Sequence, residues 1–243
     1  MVQGIYTILS NRKIARDVYE MMLSGDTAAI TAPGQFINIK IDGCFLRRPI
    51  SVCDWNENTI TVIYKVVGEG TAVMSGMTEG TSLDILTGLG NGFDMKKSGM
   101  TPLLIGGGVG TPPMYGLCKR LVSQGTHPRV VLGFASRDDV FYEDKFRSLG
   151  VDIRIATADG SFGIPGFVTD AMTGLSYSYF YACGPIPMLH AVADASTSDG
   201  QLSFEERMGC GFGACMGCSC KTKYGNKRIC RDGPVLEKEE VIW

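Results

Sequence analysis

Five of the nine cysteines fall between residues 210 and 230, in the segment ERMGCGFGACMGCSCKTKYGNKRICRDGP (205–233). Cys210, Cys215, Cys218 and Cys230 follow the pattern C-x4-C-x2-C-x11-C. A C-x4-C-x2-C opening with a distant fourth cysteine is the spacing of plant-type [2Fe–2S] sites. Gly211, Gly213 and Gly217 let such a loop wrap closely, so that backbone N–H groups reach the negatively charged sulfides. Four cysteines also suit a closed zinc site. Zinc sites usually pair C-x2-C knuckles, and only Cys215 and Cys218 form one. Cys220 lies outside the pattern and reads as a spare thiol.

Two glycine turns carry a second chemistry. LLIGGGVGTPPM (103–114) reads as a strand, a turn at Gly106, Gly107, Gly108 and Gly110, and a helix opening at Thr111. Absent side chains let phosphate oxygens approach the backbone N–H groups, and the helix dipole favours the anion. Pro112 and Pro113 suit a first helical turn. The spacing departs from G-x-G-x-x-G, and a tight strand-to-helix turn explains it equally well without a ligand. YFYACGPIPM (179–188) puts Cys183, Gly184 and Pro185 at the end of another strand. Ligands of open α/β sheets sit beyond the carboxyl ends of strands, so the two turns can bracket one dinucleotide, with Cys183 near a nicotinamide ring. In GFASRDD (133–139), Ser136 and Arg137 suit a 2′-phosphate, whereas Asp138 or Asp139 suits a ribose 2′-OH. Two acids against one arginine favour NADH over NADPH.

A third group lies in RRPIS (47–51) and IYKVVGEGT (63–71). Arg48 is a permanent cation able to fork onto a pyrophosphate. Ser51 offers a small hydroxyl to a ring nitrogen, and Gly70 and Thr71 begin a short helix whose amides can hold phosphate. An exposed arginine before a strand-edge proline accounts for the same residues without a ligand.

Three regions must position these groups. Residues 1–98 read as antiparallel β, in a barrel or sandwich. In QFINIKI (35–41) Phe36 alternates with Asn38 and Ile39 with Lys40. In NTITVIYKVVG (58–68) Ile60, Val62, Tyr64 and Val66 share one face. RRPISVCDW and TSLDILTGLG flank these runs as strands, with one short helix at 70–77. Residues 99–203 alternate strand and helix, which implies a parallel α/β sheet. Residues 204–243 are too short for a core of their own and are expected to fold around what the cysteines bind. The whole is an α+β multidomain chain.

Composition narrows the function. Lys and Arg total 23 against 25 Asp and Glu, without a basic patch, so no nucleic-acid partner is expected. No segment approaches the ~20 apolar residues of a membrane span, and the N-terminus lacks a signal-peptide pattern. A soluble cytoplasmic protein is expected, and in a reducing compartment clustered thiols bind metals or do redox work. His127 and His190 are the only histidines. Neither has catalytic neighbours, and no paired carboxylates suggest a metabolite-oxidising site.

With these residues in view, the chain resembles the ferredoxin reductase superfamily, in which a flavin-binding β-barrel precedes a nicotinamide-binding α/β domain. The superfamily's flavin motif R-x-Y-S reads Arg48-Pro49-Ile50-Ser51 here, with Ile50 in place of the tyrosine that often packs against the isoalloxazine. The resemblance implies Arg48 at the FAD pyrophosphate, Ser51 at the flavin N5, and Cys183 beside the nicotinamide. Ile63, Tyr64 and Lys65 would line the nucleotide, with Gly70 and Thr71 at its phosphates. A nicotinamide delivers a hydride, a cluster accepts single electrons, and a flavin does both. That chemistry dictates the order NAD, FAD, cluster.

With the cysteine segment included, the full length is similar to the electron-transfer subunits of dihydroorotate dehydrogenase B. That resemblance implies an FMN-containing dihydroorotate dehydrogenase catalytic subunit as partner, a 2+2 heterotetramer, and a place in pyrimidine biosynthesis. Cousin subunits of transhydrogenases, hydrogenases and sulfur-metabolising reductases share the cofactor residues. Compactness, without an added ferredoxin-like domain, favours the first. A zinc-stabilised, non-enzymatic nucleotide-binding module is the rival from another class.

Overall fold

A computed structural model describes residues 1–243. Its first half is a closed antiparallel barrel built from β1 (Val2–Ala15), β2 (Val18–Ser24), β3 (Phe36–Ile39), β4 (Arg48–Trp55), β5 (Thr59–Lys65) and β6 (Ser82–Leu89). The order is β1-β2-β5-β4-β3-β6, and β6 returns to β1. A helix, α1 (Glu69–Ser75), links β5 to β6. Period-2 alternation fills the interior: Ile37, Ile39, Ile60, Val62 and Tyr64 are all buried in one cluster.

The alternation expected of β3 fails, because all four of its residues are buried. Ile37 and Ile39 face the barrel interior. Phe36 packs instead into the core that also holds Cys218 and Cys230. A strand covered on both faces buries its polar position too, here Asn38.

The second half is a seven-stranded sheet. In chain order come β7 (Leu103–Gly107), α2 (Thr111–Ser123), β8 (Arg129–Phe134), α3 (Glu143–Arg147), β9 (Asp152–Thr157), β10 (Ile164–Pro165), α4 (Val168–Met172), β11 (Phe180–Cys183), α5 (Ile186–Ala195) and β12 (Gly200–Ser203). The sheet order is β10-β9-β8-β7-β11-β12, all parallel. Helices cover its faces, so β7 is buried throughout and reads as a continuous apolar run.

The C-terminal residues add a hairpin, β13 (Ser219–Thr222) with β14 (Gly225–Arg228), then α6 (Ile229–Asp232) and β15 (Val235–Glu237). β15 joins the sheet antiparallel to β12. Ile229, Cys230, Leu236 and Val241 enter the same core as Leu103 and Leu189. The region thus shares the nucleotide half's core rather than standing apart.

Polar contacts close the seam between the halves. Arg16 donates to Ser136 and Asp139, and the Tyr142 hydroxyl donates to Glu20. The Arg120 guanidinium lies 3.3 Å from the centre of the Trp55 ring. No helix is long and apolar enough to cross a membrane.

Candidate functional site: a cofactor cleft and a cysteine loop

β7 is flanked by β8 and β11, which makes the β7/β11 edge the point where strand order reverses. Gly106 stands directly opposite Cys183 in the register. Both glycine turns therefore leave the sheet side by side at its carboxyl edge, where such folds bind ligands. The barrel meets this edge through β4 and β5. Between them lies a cleft of about 360 Å³, lined by Pro49, Ser51, Lys65, Gly107, Gly108, Gly110, Cys183, Gly184 and Pro185. Nine of the expected residues thus converge.

The glycines do different jobs. A Cβ on Gly110 would stand 2.1 Å from the Cys183 carbonyl oxygen, so the protein's own packing demands glycine there. Gly108 has φ +51 with open space before it, which leaves its position free for an approaching ligand. Thr111 is fully buried, its hydroxyl has no partner, and it lies outside the residues that line the cleft. Burial pushes the Cys183 thiol up to about 12, so it enters the cleft as a neutral thiol.

At the barrel end, Arg48 lies across the start of α1; a Cβ on Gly70 would stand 2.1 Å from its Nε. The Thr71 hydroxyl accepts from the Val67 N–H and donates to the Gly68 carbonyl, closing the first turn of α1. Arg48, Gly70 and Thr71 stand outside the lining of the cleft, and three further expected side chains on the barrel strands do not reach it. Tyr64 points into the barrel, where its hydroxyl donates to Asn11. Ile63 packs into the core shared with α2, and Ile50 leans on the barrel interior. Strand alternation explains two of them: Ser51 and Lys65 face the cleft, so Ile50 and Tyr64 face away, whereas Ile63 shares the face of Lys65 and is covered there by the core it joins with α2.

At the far edge, Asp139 is committed to Arg16 and to the Ser136 hydroxyl, which hold its carboxyl below the usual range. Of the residues weighed for the ribose, Arg137 and Asp138 remain exposed.

The cysteine loop associates in two pairs. The Cys215 N–H donates to the Cys210 sulfur, and the Cys230 N–H donates to the Cys218 sulfur, each at 3.4 Å. A closed zinc site needs four donors around one point, whereas a two-iron cluster takes two cysteines at each iron. The donor set therefore fits a [2Fe–2S] cluster. Burial raises the Cys210 thiol, but N–H groups of Cys215, Phe212 and Ala214 outweigh it and bring the value to about 6. Burial and the neighbouring Cys218 raise Cys230. Cys220 sits half-buried on β13, packed against the core and outside both pairs.

Cleft and loop share a wall. Phe36, Phe204, Glu205, Glu206 and Met208 line the cleft, and the last of these stands two residues before Cys210. Sequence reasoning missed all five. Nearness in sequence to Cys210 is a signal that could have found Glu205, Glu206 and Met208; Phe36 carries no such signal.

The iron–sulfur cluster binding domain of dihydroorotate dehydrogenase B, as a family model, matches residues 205–242. The oxidoreductase NAD-binding domain matches residues 104–194. Fold and site together define an NAD-linked, ferredoxin-reductase-like oxidoreductase. The chain is 46% identical to the dihydroorotate dehydrogenase B (NAD+) electron transfer subunit of Bacillus pumilus, over 99% of this chain and 98% of that one. Against the subunit of the same name from Fusobacterium nucleatum, identity is 43%, over 97% and 96%. This chain belongs to the family of dihydroorotate dehydrogenase B electron transfer subunits. Among solved structures, an NADH-dependent reduced ferredoxin–NADP oxidoreductase involved in flavin-based electron bifurcation superposes with TM-score 0.89. It is 29% identical, with 99% of this chain and 90% of that chain covered. Phthalate dioxygenase reductase shares the fold, at TM-score 0.63 and 21% identity over 79% and 64%.

Proposed function

We propose that this chain carries electrons between an FMN-containing dihydroorotate dehydrogenase catalytic subunit and NAD+, through a [2Fe–2S] cluster and FAD, in a cytoplasmic 2+2 heterotetramer. One observation carries the reading: the cleft that brings Ser51 opposite Cys183 shares a wall with the loop of paired cysteines. When bound, the flavin exchanges a hydride with the nicotinamide and single electrons with the cluster.

The chain's residues do the holding. Arg48, above Gly70, neutralises the FAD pyrophosphate, and Ser51 offers its hydroxyl at the flavin N5. Gly108 opens the turn to the NAD phosphates. The neutral Cys183 thiol fills space beside the nicotinamide without competing as a nucleophile. Cys210 with Cys215, and Cys218 with Cys230, supply two thiolates to each iron. Asp138 is the carboxylate left to meet a ribose 2′-OH, which favours NAD over NADP.

The rival reading, a subunit of a transhydrogenase or similar complex, draws on the bifurcating enzyme's structural likeness. Identity of 41–46% to dihydroorotate dehydrogenase subunits, against 29% to that enzyme, favours the first. Anaerobic affinity purification from the native cell tests both. A stoichiometric catalytic subunit whose mixture with this chain reduces NAD+ with dihydroorotate is the expected result. A hydrogenase or sulfur-enzyme subunit in its place, with no dihydroorotate activity, would overturn the assignment.

A further inference from the structure

Asn38 is a polar side chain where an apolar one would cost less. It lies on β3 between Ile37 and Ile39, is 1% exposed, and pairs in register with Pro49 of the Arg48–Ser51 motif. Its Nδ2 donates to the Cys210 carbonyl at 3.3 Å. This is the one side-chain hydrogen bond from the barrel to residues 205–218. The approach is close, since a Cβ on Gly211 would stand 2.3 Å from the same Nδ2. Asn38 Oδ1 has no partner. A buried, half-satisfied amide costs stability that an apolar side chain of the same size would not, so the bond it makes is what it contributes.

That bond fixes one peptide plane. In a trans peptide, C=O and N–H point in opposite directions. Anchoring the Cys210 carbonyl on Asn38 therefore turns the Gly211 N–H away from the barrel. It also fixes the backbone of the first cysteine of the motif relative to the strand that pairs with the flavin motif.

We propose that Asn38 is a positioning residue: it holds the cluster loop at a set distance and orientation against the flavin-facing wall, acting through the Cys210 peptide. The inference rests on the cofactor assignment made above. Partners behind a metal ligand commonly change affinity or activity by 10–100-fold when removed.

The test uses the anaerobically purified complex. Asn38→Leu keeps the size of the side chain and removes both polar atoms. Its FAD content and rate of flavin reduction by NADH should match wild type. The reduced cluster's EPR spectrum and midpoint potential should shift, and cluster reduction after flavin reduction should slow about tenfold. A role in packing alone predicts an unchanged spectrum and potential with equal or higher Tm, and that result would overturn the proposal. Gly211→Ala presses on the same contact from the loop side and should give the same spectral shift. If Asn38→Leu fails to fold, that variant decides, and a wild-type spectrum from it refutes the idea. Wild-type complex without iron and acid-labile sulfide would remove the cofactor assignment and the inference with it.

Discussion

The nucleotide turns and the cysteine loop are both glycine-rich, yet they are built on opposite principles. The turns are set by the protein itself: parallel strands fix them side by side, and the Cys183 carbonyl leaves no room for a side chain at Gly110. Between residues 205 and 217, by contrast, one carbonyl, that of Met216, takes part in a backbone–backbone hydrogen bond outside regular elements, and no helix or strand is present. Its N–H groups turn to sulfur instead. The cleft is organised before its ligands arrive, and the loop takes its order from the thiols. Loss of the cluster should therefore disorder one and spare the other.

Cys215→Ala should give the largest effect. Iron and acid-labile sulfide should fall to near zero, and residues 205–217 should become the first site of proteolysis. Flavin reduction by NADH should persist. Full cluster content in this variant would remove Cys215 from the ligand set.

Two glycine substitutions divide the cleft between protein and ligand. Gly110→Ala forces a Cβ against a backbone oxygen and should cost at least the ~1–3 kcal/mol of ordinary overpacking, read as a lower urea midpoint. Gly108→Ala meets open space and should cost only the roughly 1–2 kcal/mol of a left-handed backbone. Its main effect should be a raised KM for NADH. Equal urea midpoints for the two, with an unchanged KM, would contradict the division.

Arg48→Ala should act at the flavin end alone. FAD should be lost on gel filtration while cluster content holds, since the Arg48 guanidinium donates to the Leu46 carbonyl and not to the loop. Retention of FAD equal to wild type would take Arg48 out of the site.

The two regions were also unequally legible in the sequence. The four cysteines announce themselves because a cluster needs all its ligands and they fall close together in the chain. The cleft is assembled from residues 36 to 234, and spacing gives no account of which faces meet. The order of strands and helices was readable from periodicity, as in NTITVIYKVVG and TPPMYGLCKRLVSQG. Periodicity set Tyr64 on one face with Ile60 and Val62; it was the motif resemblance that put Ile50, Ile63 and Tyr64 at the nucleotide, and their side chains pack into the cores instead. β12 and β15 were missed because Gly200–Ser203 carries a single large apolar residue, Leu202, and Val235–Glu237 is only three residues long. Asp139 stood beside Asp138 as an alternative for the ribose because no local signal reveals Arg16, 123 residues away.

That pair gives the smallest and most pH-dependent effect. Arg16 lowers the Asp139 carboxyl below its ordinary 3.8, chiefly through their hydrogen bonds, with Ser136 adding to it. A carboxyl depressed in the folded state binds fewer protons there than in the unfolded chain. Its stabilisation is thus fully present above about pH 5 and is lost as pH falls through the folded value. Arg16→Ala should lower Tm by a constant amount near neutrality, and the gap to wild type should close in acid. The Arg16 side chain is half exposed, so the gap should be small and should shrink further in ~1 M salt. Because the bond ties the barrel to the Ser136–Asp139 turn, the variant should also weaken NADH binding slightly while the cluster's EPR spectrum stays fixed. A Tm gap that widens as pH falls would show that Asp139 is not held as an anion by Arg16. A changed cluster spectrum would show instead that cleft and loop are not independently organised.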